Sequence, residues 1–167
     1  MRLTIASVLM FAAAAPCAQA ADSAYTKHDW EKCPQVKADE DWIARRCEGA
    51  AGIPIFYVGA EDSSSVGFGE NGLSGEGLGD FTFAKDVVEW RSAGGAPYAA
   101  ILRYDVGKSV SGPFRSRLVV YKLDGAKASC IVGGVDGASQ NANALARDMA
   151  DRKARAFRCS EGKSAQQ

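Results

Sequence analysis

The sequence predicts an α+β fold: an antiparallel sheet of about six strands, covered by one C-terminal α-helix and stapled by disulfides. Three observations carry this expectation. Between Ile53 and Val135 the chain breaks into short apolar or alternating runs separated by Gly-, Asp- and Pro-bearing turns, the pattern of sequential strands. One amphipathic stretch follows them, so there is no alternation of helices and strands to build a parallel sheet. Four cysteines outside the N-terminal leader suit two disulfide bonds.

The leader is read from Arg2, the apolar run Leu3 to Ala15, and the small residues of Ala18-Gln19-Ala20. Together they describe a secretory signal peptide over residues 1–20, cleaved after Ala20. Cys17 raises a lipidated alternative, which Pro16 and Ala14 disfavour. Without Arg2 the chain keeps 19 Lys+Arg against 20 Asp+Glu. A net charge near neutrality gives no electrostatic basis for binding nucleic acid or anionic lipid. No later segment is apolar for long enough to span a bilayer, so membrane insertion is not expected.

Residues 21–52 are polar, with Tyr25, Trp30 and Trp42 as isolated anchors, and read as an irregular arm closed by its own disulfide. The α+β domain is expected over 53–159, and 160–167 as a flexible tail. Ile53 to Val58 and Ser64 to Gly69 form the first two strands. Gly69, Gly72, Gly75, Gly77 and Gly79 then predict a long, mobile surface loop up to Asp80. Val88 and Trp90 alternate with Glu89 and Arg91, and Leu102, Tyr104 and Val106 with Arg103 and Asp105, as in half-exposed strands. Leu118 to Leu123 and Ser129 to Val135 complete the set, with Asp124-Gly125 as a hairpin signal between them.

After Asp136-Gly137, Ser139 or Asn141 is placed to cap a helix. Ala142, Leu145, Ala146, Met149, Ala150, Ala154 and Phe157 recur at three- and four-residue steps and form its apolar stripe. Arg147 with Asp151, Asp148 with Arg152, and Asp151 with Arg155 are spaced to pair on the solvated face. Cys33, Cys47, Cys130 and Cys159 allow three connectivities. The local pairs Cys33–Cys47 and Cys130–Cys159 are preferred, the second tying the helix exit to the strand before it.

Cys47-Glu48-Gly49 with Gly52, Val66-Gly67-Phe68-Gly69, Glu89-Trp90-Arg91 and Pro97-Tyr98-Ala99-Ala100-Ile101-Leu102-Arg103-Tyr104 form a wider pattern. With them go Leu118-Val119-Val120, Val135-Asp136-Gly137-Ala138, Asn141-Ala142-Asn143-Ala144-Leu145-Ala146-Arg147, Ala150-Asp151 and Phe157-Arg158-Cys159. On these residues the whole chain after the leader resembles an uncharacterised family of short exported alphaproteobacterial proteins. The resemblance implies export, the disulfide framework and a common fold. It brings no catalytic residues.

Candidate chemistry is sparse. Gly67-Phe68-Gly69-Glu70-Asn71-Gly72 spells a dinucleotide fingerprint, but the glycines that follow cannot open the helix that motif needs. Glu61, Asp62, Glu70, Glu76 and Asp80 supply oxygens without the spacing of a calcium loop. No metal or cofactor site is expected. His28 is the only histidine and lies in the arm, and the cysteines are committed to disulfides, so nucleophile–base pairs are lacking.

Trp90, Arg91, Arg103, Asn141, Asn143 and Arg147 are the candidate binding residues, being of types that carry recognition. Simpler roles compete with each. Trp90 falls on the buried phase, Arg91 and Arg103 on the solvated one; the asparagines suit capping, and Arg147 suits a pair with Asp151. The expected function is therefore a small periplasmic binding or interaction protein, its partner an envelope protein or small ligand. A sharper form is an inhibitor of a lysozyme-type wall hydrolase. Such inhibitors are exported, disulfide-bonded and of this size, and Ser111-Gly112-Pro113-Phe114 resembles the Ser-Gly loop of one such family, departing at Phe114. The alternative is an envelope hydrolase with a carboxylate pair among Glu89, Asp105 and Asp136.

Overall fold

A computed structural model describes residues 21–74 and 77–159 of the chain. The expected leader with Cys17, the candidate ligand Glu76 and the expected tail lie outside the described residues.

Nine strands, not six, are present among the described residues: β1 (Asp22–Lys27), β2 (Gln35–Ala38), β3 (Trp42–Glu48), β4 (Pro54–Ala60), β5 (Ser64–Phe68), β6 (Thr82–Ala93), β7 (Ala96–Val106), β8 (Arg115–Asp124) and β9 (Ala128–Asp136). They form two antiparallel sheets, one ordered β1-β6-β7-β8-β9 and the other β2-β3-β4-β5. The segment expected to be an irregular arm supplies three of these strands. β1 runs along β6 from Asp22 opposite Ser92 to Lys27 opposite Val87, and β3 lies inside the smaller sheet beside β4.

The sheets bury a common aromatic and aliphatic core. Ile55, Val66 and Phe68 from the smaller sheet meet Val88, Trp90, Leu102, Tyr104, Val119 and Tyr121 from the larger one. Phe68 sits edge-on to both Trp90 and Tyr121, at centroid distances of 5.5 and 5.1 Å. The Tyr104 and Tyr121 hydroxyls, both buried, bond to each other at 2.7 Å. Trp90 donates its indole N–H to Thr26 Oγ1 at 2.8 Å, which ties β1 into the core. Each polar tip thus finds a partner, as burial of Tyr and Trp demands.

The other face of the larger sheet carries the helix. Helix α1 (Ala142–Met149) continues as a π-helical turn over Ala150–Ala154. Ala142, Ala146, Ala150 and Ala154 are all buried, against Ala99, Ile101, Leu118, Val120, Val132 and Val135. These alanines recur every four residues, a longer repeat than the 3.6 of an α-helix, so a regular helix would rotate the later ones off the sheet. The wider π turn offsets that drift and keeps Ala150 and Ala154 facing inward. Leu145, expected on the stripe, is 48 % exposed.

Both local disulfides are formed, Cys33–Cys47 and Cys130–Cys159. The first residues of the expected mobile loop are pinned: Glu70 and Asn71 donate backbone N–H groups to Ala126 and Lys127 carbonyls at 2.8 and 2.7 Å. Gly69 makes the close approach with φ of +85°; a Cβ there would stand 2.5 Å from the Ala128 nitrogen. Only glycine fits both demands.

Candidate functional site

Strand pairing fixes which of the predicted residues can meet. On the helix-side face of the larger sheet, Tyr25, Glu89 and Ile101 lie in one cross-strand row, and Ser23, Arg91 and Ala99 in the next. The helix covers the β7–β9 part of this face. Over β6 and β1 the sheet is covered instead by the helix's charged side.

Arg91 was expected on a solvated face, yet it is 6 % exposed. Its Nε and Nη2 donate to the two Asp151 carboxylate oxygens at 2.9 and 2.7 Å, and Nη1 donates to Ser23 Oγ at 2.5 Å. Tyr98 donates its hydroxyl to Asp151 Oδ1, also at 2.5 Å, while the Arg155 guanidinium lies over the Tyr98 ring. Arg147 does not pair with Asp151 as its spacing suggests. Its Nε donates to Glu89 Oε1 at 2.6 Å and its Nη2 to the Tyr25 hydroxyl at 2.8 Å. Cross-sheet partners win because Glu89 and Arg91 sit under the helix and need charge-compensating bonds there. Of the three expected helix pairs, Asp148–Arg152 forms, at 2.7 Å.

Burial tends to raise the Asp151 pKa, but the bonds from Arg91 and Tyr98 prevail and hold the carboxyl below its ordinary value. Burial comes first in pushing the Tyr98 hydroxyl upward, reinforced by its bond to Asp151. Both groups are held in the states their hydrogen bonds require.

Arg103 and Asn143 come together as well. Arg103 donates to Asn143 Oδ1 at 2.9 Å and to Ser116 Oγ at 2.5 Å. Asn143 is therefore a partner of Arg103 rather than a cap. Asn141 occupies the cap position with φ of +62°, but makes no side-chain capping bond. Trp90 is fully buried between the sheets and cannot touch a ligand. A cleft of about 300 Å³ opens beside this cluster, lined by Glu89, Arg103, Asn143, Ile101, Leu118 and neighbours.

A second cleft, of about 450 Å³, lies at the end of the same sheet, between the loop at 107–114 and strands β8 and β9. Lys108, Arg115 and Arg117 line it together with Asp136. Arg117 lies flat on Gly134, where any Cβ would stand 2.5 Å from its Nε. Asp136 spends one carboxylate oxygen on the Ala138 N–H at 2.9 Å. The loop itself is internally braced: Ser109 Oγ donates to the Gly112 carbonyl at 3.0 Å, and the Gly112 N–H returns a bond to the Ser109 carbonyl. At its far end Phe114 meets Phe83 edge-on. Ser111 to Phe114 stand out in the sequence; the three cations do not, although Arg115 and Arg117 share one face of β8 and the β7–β8 loop brings Lys108 to them.

A third, shallow concavity of about 1030 Å³ on the smaller sheet is lined by Asp39, Glu40, Asp41, Glu61 and Asp62 around Trp42 and Tyr57. Among the described residues no group of three or more His, Cys, Asp or Glu side chains converges as a metal site. The three carboxylates weighed as a catalytic pair are dispersed: Glu89 bonds Arg147, Asp105 pairs with Lys85, and Asp136 holds its own turn. His28 stacks on Trp30, which stacks in turn on Tyr57, at 4.9 and 5.2 Å. No helix among the described residues is long and apolar enough to cross a membrane. No family model, curated protein or solved structure matches the chain.

Proposed function

We propose that this is a small exported binding protein of the periplasm, which uses the loop at 107–114 and its basic base to occupy the substrate cleft of a lysozyme-type wall hydrolase. Export rests on the leader pattern, on two disulfides that need an oxidising compartment, and on the resemblance to exported proteins. The observation that carries the reading is an exposed, braced loop that carries the Ser111 hydroxyl, 3.2 Å from that of Ser109, beside three cations. Val110 is 61 % exposed and Ser111 lies beside it, with Lys108, Arg115 and Arg117 behind them.

A glycosidase cleft is the complement of such a loop. It is open enough for a saccharide chain and carries two carboxyl groups, about 5–9.5 Å apart. A hydroxyl can bond those carboxyls directly, and the cations steer the approach and favour an acidic target. The braced turn reduces the ordering cost of insertion. Glu89, Asp105 and Asp136 are each engaged by a different partner, so they do not form the carboxylate pair a hydrolase would need.

Lysis of peptidoglycan by a panel of lysozymes, with the oxidised protein in molar excess, tests the reading. Inhibition by the parent, abolished by Ser111→Asp, is the expected result, because a carboxylate at the tip would repel the catalytic pair. Undiminished lysis across the panel overturns it.

A further inference from the structure

We infer that the cleft beside the start of α1 is a binding site for a small zwitterion of the α-amino-acid class. It is separate from the loop and does not depend on the inhibitor reading.

The charges around the cleft select this chemistry. Three guanidinium groups, of Arg91, Arg103 and Arg147, stand in this region against two carboxylates, of Glu89 and Asp151. Arg91 pairs with Asp151 and Arg147 with Glu89, which leaves Arg103 as the guanidinium lining the cleft without a carboxylate partner. Among the described residues its bonds go only to neutral acceptors, Ser116 Oγ and Asn143 Oδ1. Those bonds use two of its five N–H groups and fix the guanidinium plane, leaving donors for a ligand carboxylate. The other ionic groups at the cleft are engaged elsewhere, Lys85 with Asp105 and Asp86 with Lys27.

Glu89 supplies the complementary group. It is 8 % exposed and lines the cleft. Both of its bonds, from Ser23 and from Arg147, fall on Oε1. Among the described residues Oε2 has no partner, and no fully buried side-chain oxygen is left unbonded, so Oε2 keeps access to solvent on a residue that lines the cleft. Glu89 stands opposite Ile101, and Arg103 follows two residues along the same strand face. That diagonal places the two groups about 7–8 Å apart at their backbones. An ammonium can therefore meet Oε2 while a carboxylate meets Arg103. Ile101 and Leu118, both buried, form the apolar floor on which the ligand's side chain rests. A volume of about 300 Å³ suits a molecule of amino-acid size rather than an oligomer.

Calorimetric titration of the oxidised protein with leucine, isocaproate and isoamylamine tests the inference. The last two lack the ammonium and the carboxylate respectively. Leucine is expected to bind, with each truncated analogue at least about tenfold weaker, the loss of one charge-assisted bond. Arg103→Met should abolish leucine binding, and Arg103→Lys should weaken it by about tenfold through loss of the planar fork. Should either variant fail to fold, amide chemical shifts of the parent give an independent reading. Leucine should move Glu89, Ile101, Arg103 and Asn143. No heat and no shifts with leucine, equal affinity for all three compounds, or unchanged leucine affinity in folded Arg103→Met overturns the inference. Lysozyme inhibition tests the other site, so the two readings fail separately.

Discussion

The two faces of the five-stranded sheet solve the same problem with opposite means. Toward the smaller sheet, Val88, Trp90, Leu102, Tyr104, Val119 and Tyr121 are each at most 3 % exposed and interlock as large side chains. Toward the helix, Ala99, Ile101 and Val120 meet a row of alanines. A second sheet is wide enough to cover its partner with apolar surface alone. One short helix is not, and where its width ends, on β6 and β1, long charged side chains finish the cover with their aliphatic stems and pair their heads. Trp90 and Arg91 are consecutive residues, both buried, and belong to these two different solutions. Width of cover, more than strand composition, decides where polar chemistry is held.

Substitutions on the two faces should separate accordingly. The largest loss belongs to Trp90→Ala, which removes a fully buried indole and its bond to Thr26. A cost of about 3–5 kcal/mol in denaturant unfolding is expected. Arg91→Met should cost roughly 3 kcal/mol, because Asp151 is left facing the sheet without its cation. Adding Asp151→Leu should then recover most of the loss, a rescue unavailable to Trp90→Ala. Failure of that rescue would show that the ionic cover does more than fill width.

The ionic face should also be the acid-sensitive one. Asp151 has a folded pKa below its ordinary 3.8, so the unfolded chain binds the proton more readily. The stability from this group is present above that ordinary value and is lost as pH falls through the lower, folded one. A fall in melting temperature over that window, flattened in Asp151→Asn, is the expected profile. The smallest effect in this series is Ala146→Leu, where overpacking between helix and sheet should cost about 1–3 kcal/mol. A near-zero cost would mean that the helix rides more loosely than its buried alanines indicate.

Much of the fold was legible in the residues. β4, the middle of β7 and the apolar part of β8 follow from runs of large side chains, β5 from Val66 and Phe68 at alternate positions, and the disulfide pairs from local spacing. β1, β2 and β3 were not. β1 and β2 are almost wholly exposed edge strands with no apolar face to display. In β3 the buried residues are Ala44 and Cys47, three apart and on opposite faces, with two arginines between them. β6 was read too short because a register shift between Ala84 and Val88 breaks its alternation.

The site was legible only as a set of residue types. Arg91, Arg103, Asn143 and Arg147 stand among the candidate binding residues, with simpler roles competing for each. Their partners, Glu89, Asp151 and Ser116, come from other elements, and helix spacing alone pointed Arg147 to the wrong acid. The departure into a π turn had one visible signal, alanines repeating every four residues.

Both disulfides join cysteines that are neighbours in chain order, and no bridge crosses from one pair to the other. A chain oxidised from its amino end as it emerges therefore makes the native bond at each step. With the proposed leader and its Cys17 removed, Cys47 arrives 14 residues after Cys33 and finds one thiol waiting; Cys159 arrives 29 residues after Cys130 and finds the same. Oxidative folding of this protein needs an electron acceptor but no shuffling of bridges, so an isomerase should add little to its rate of maturation.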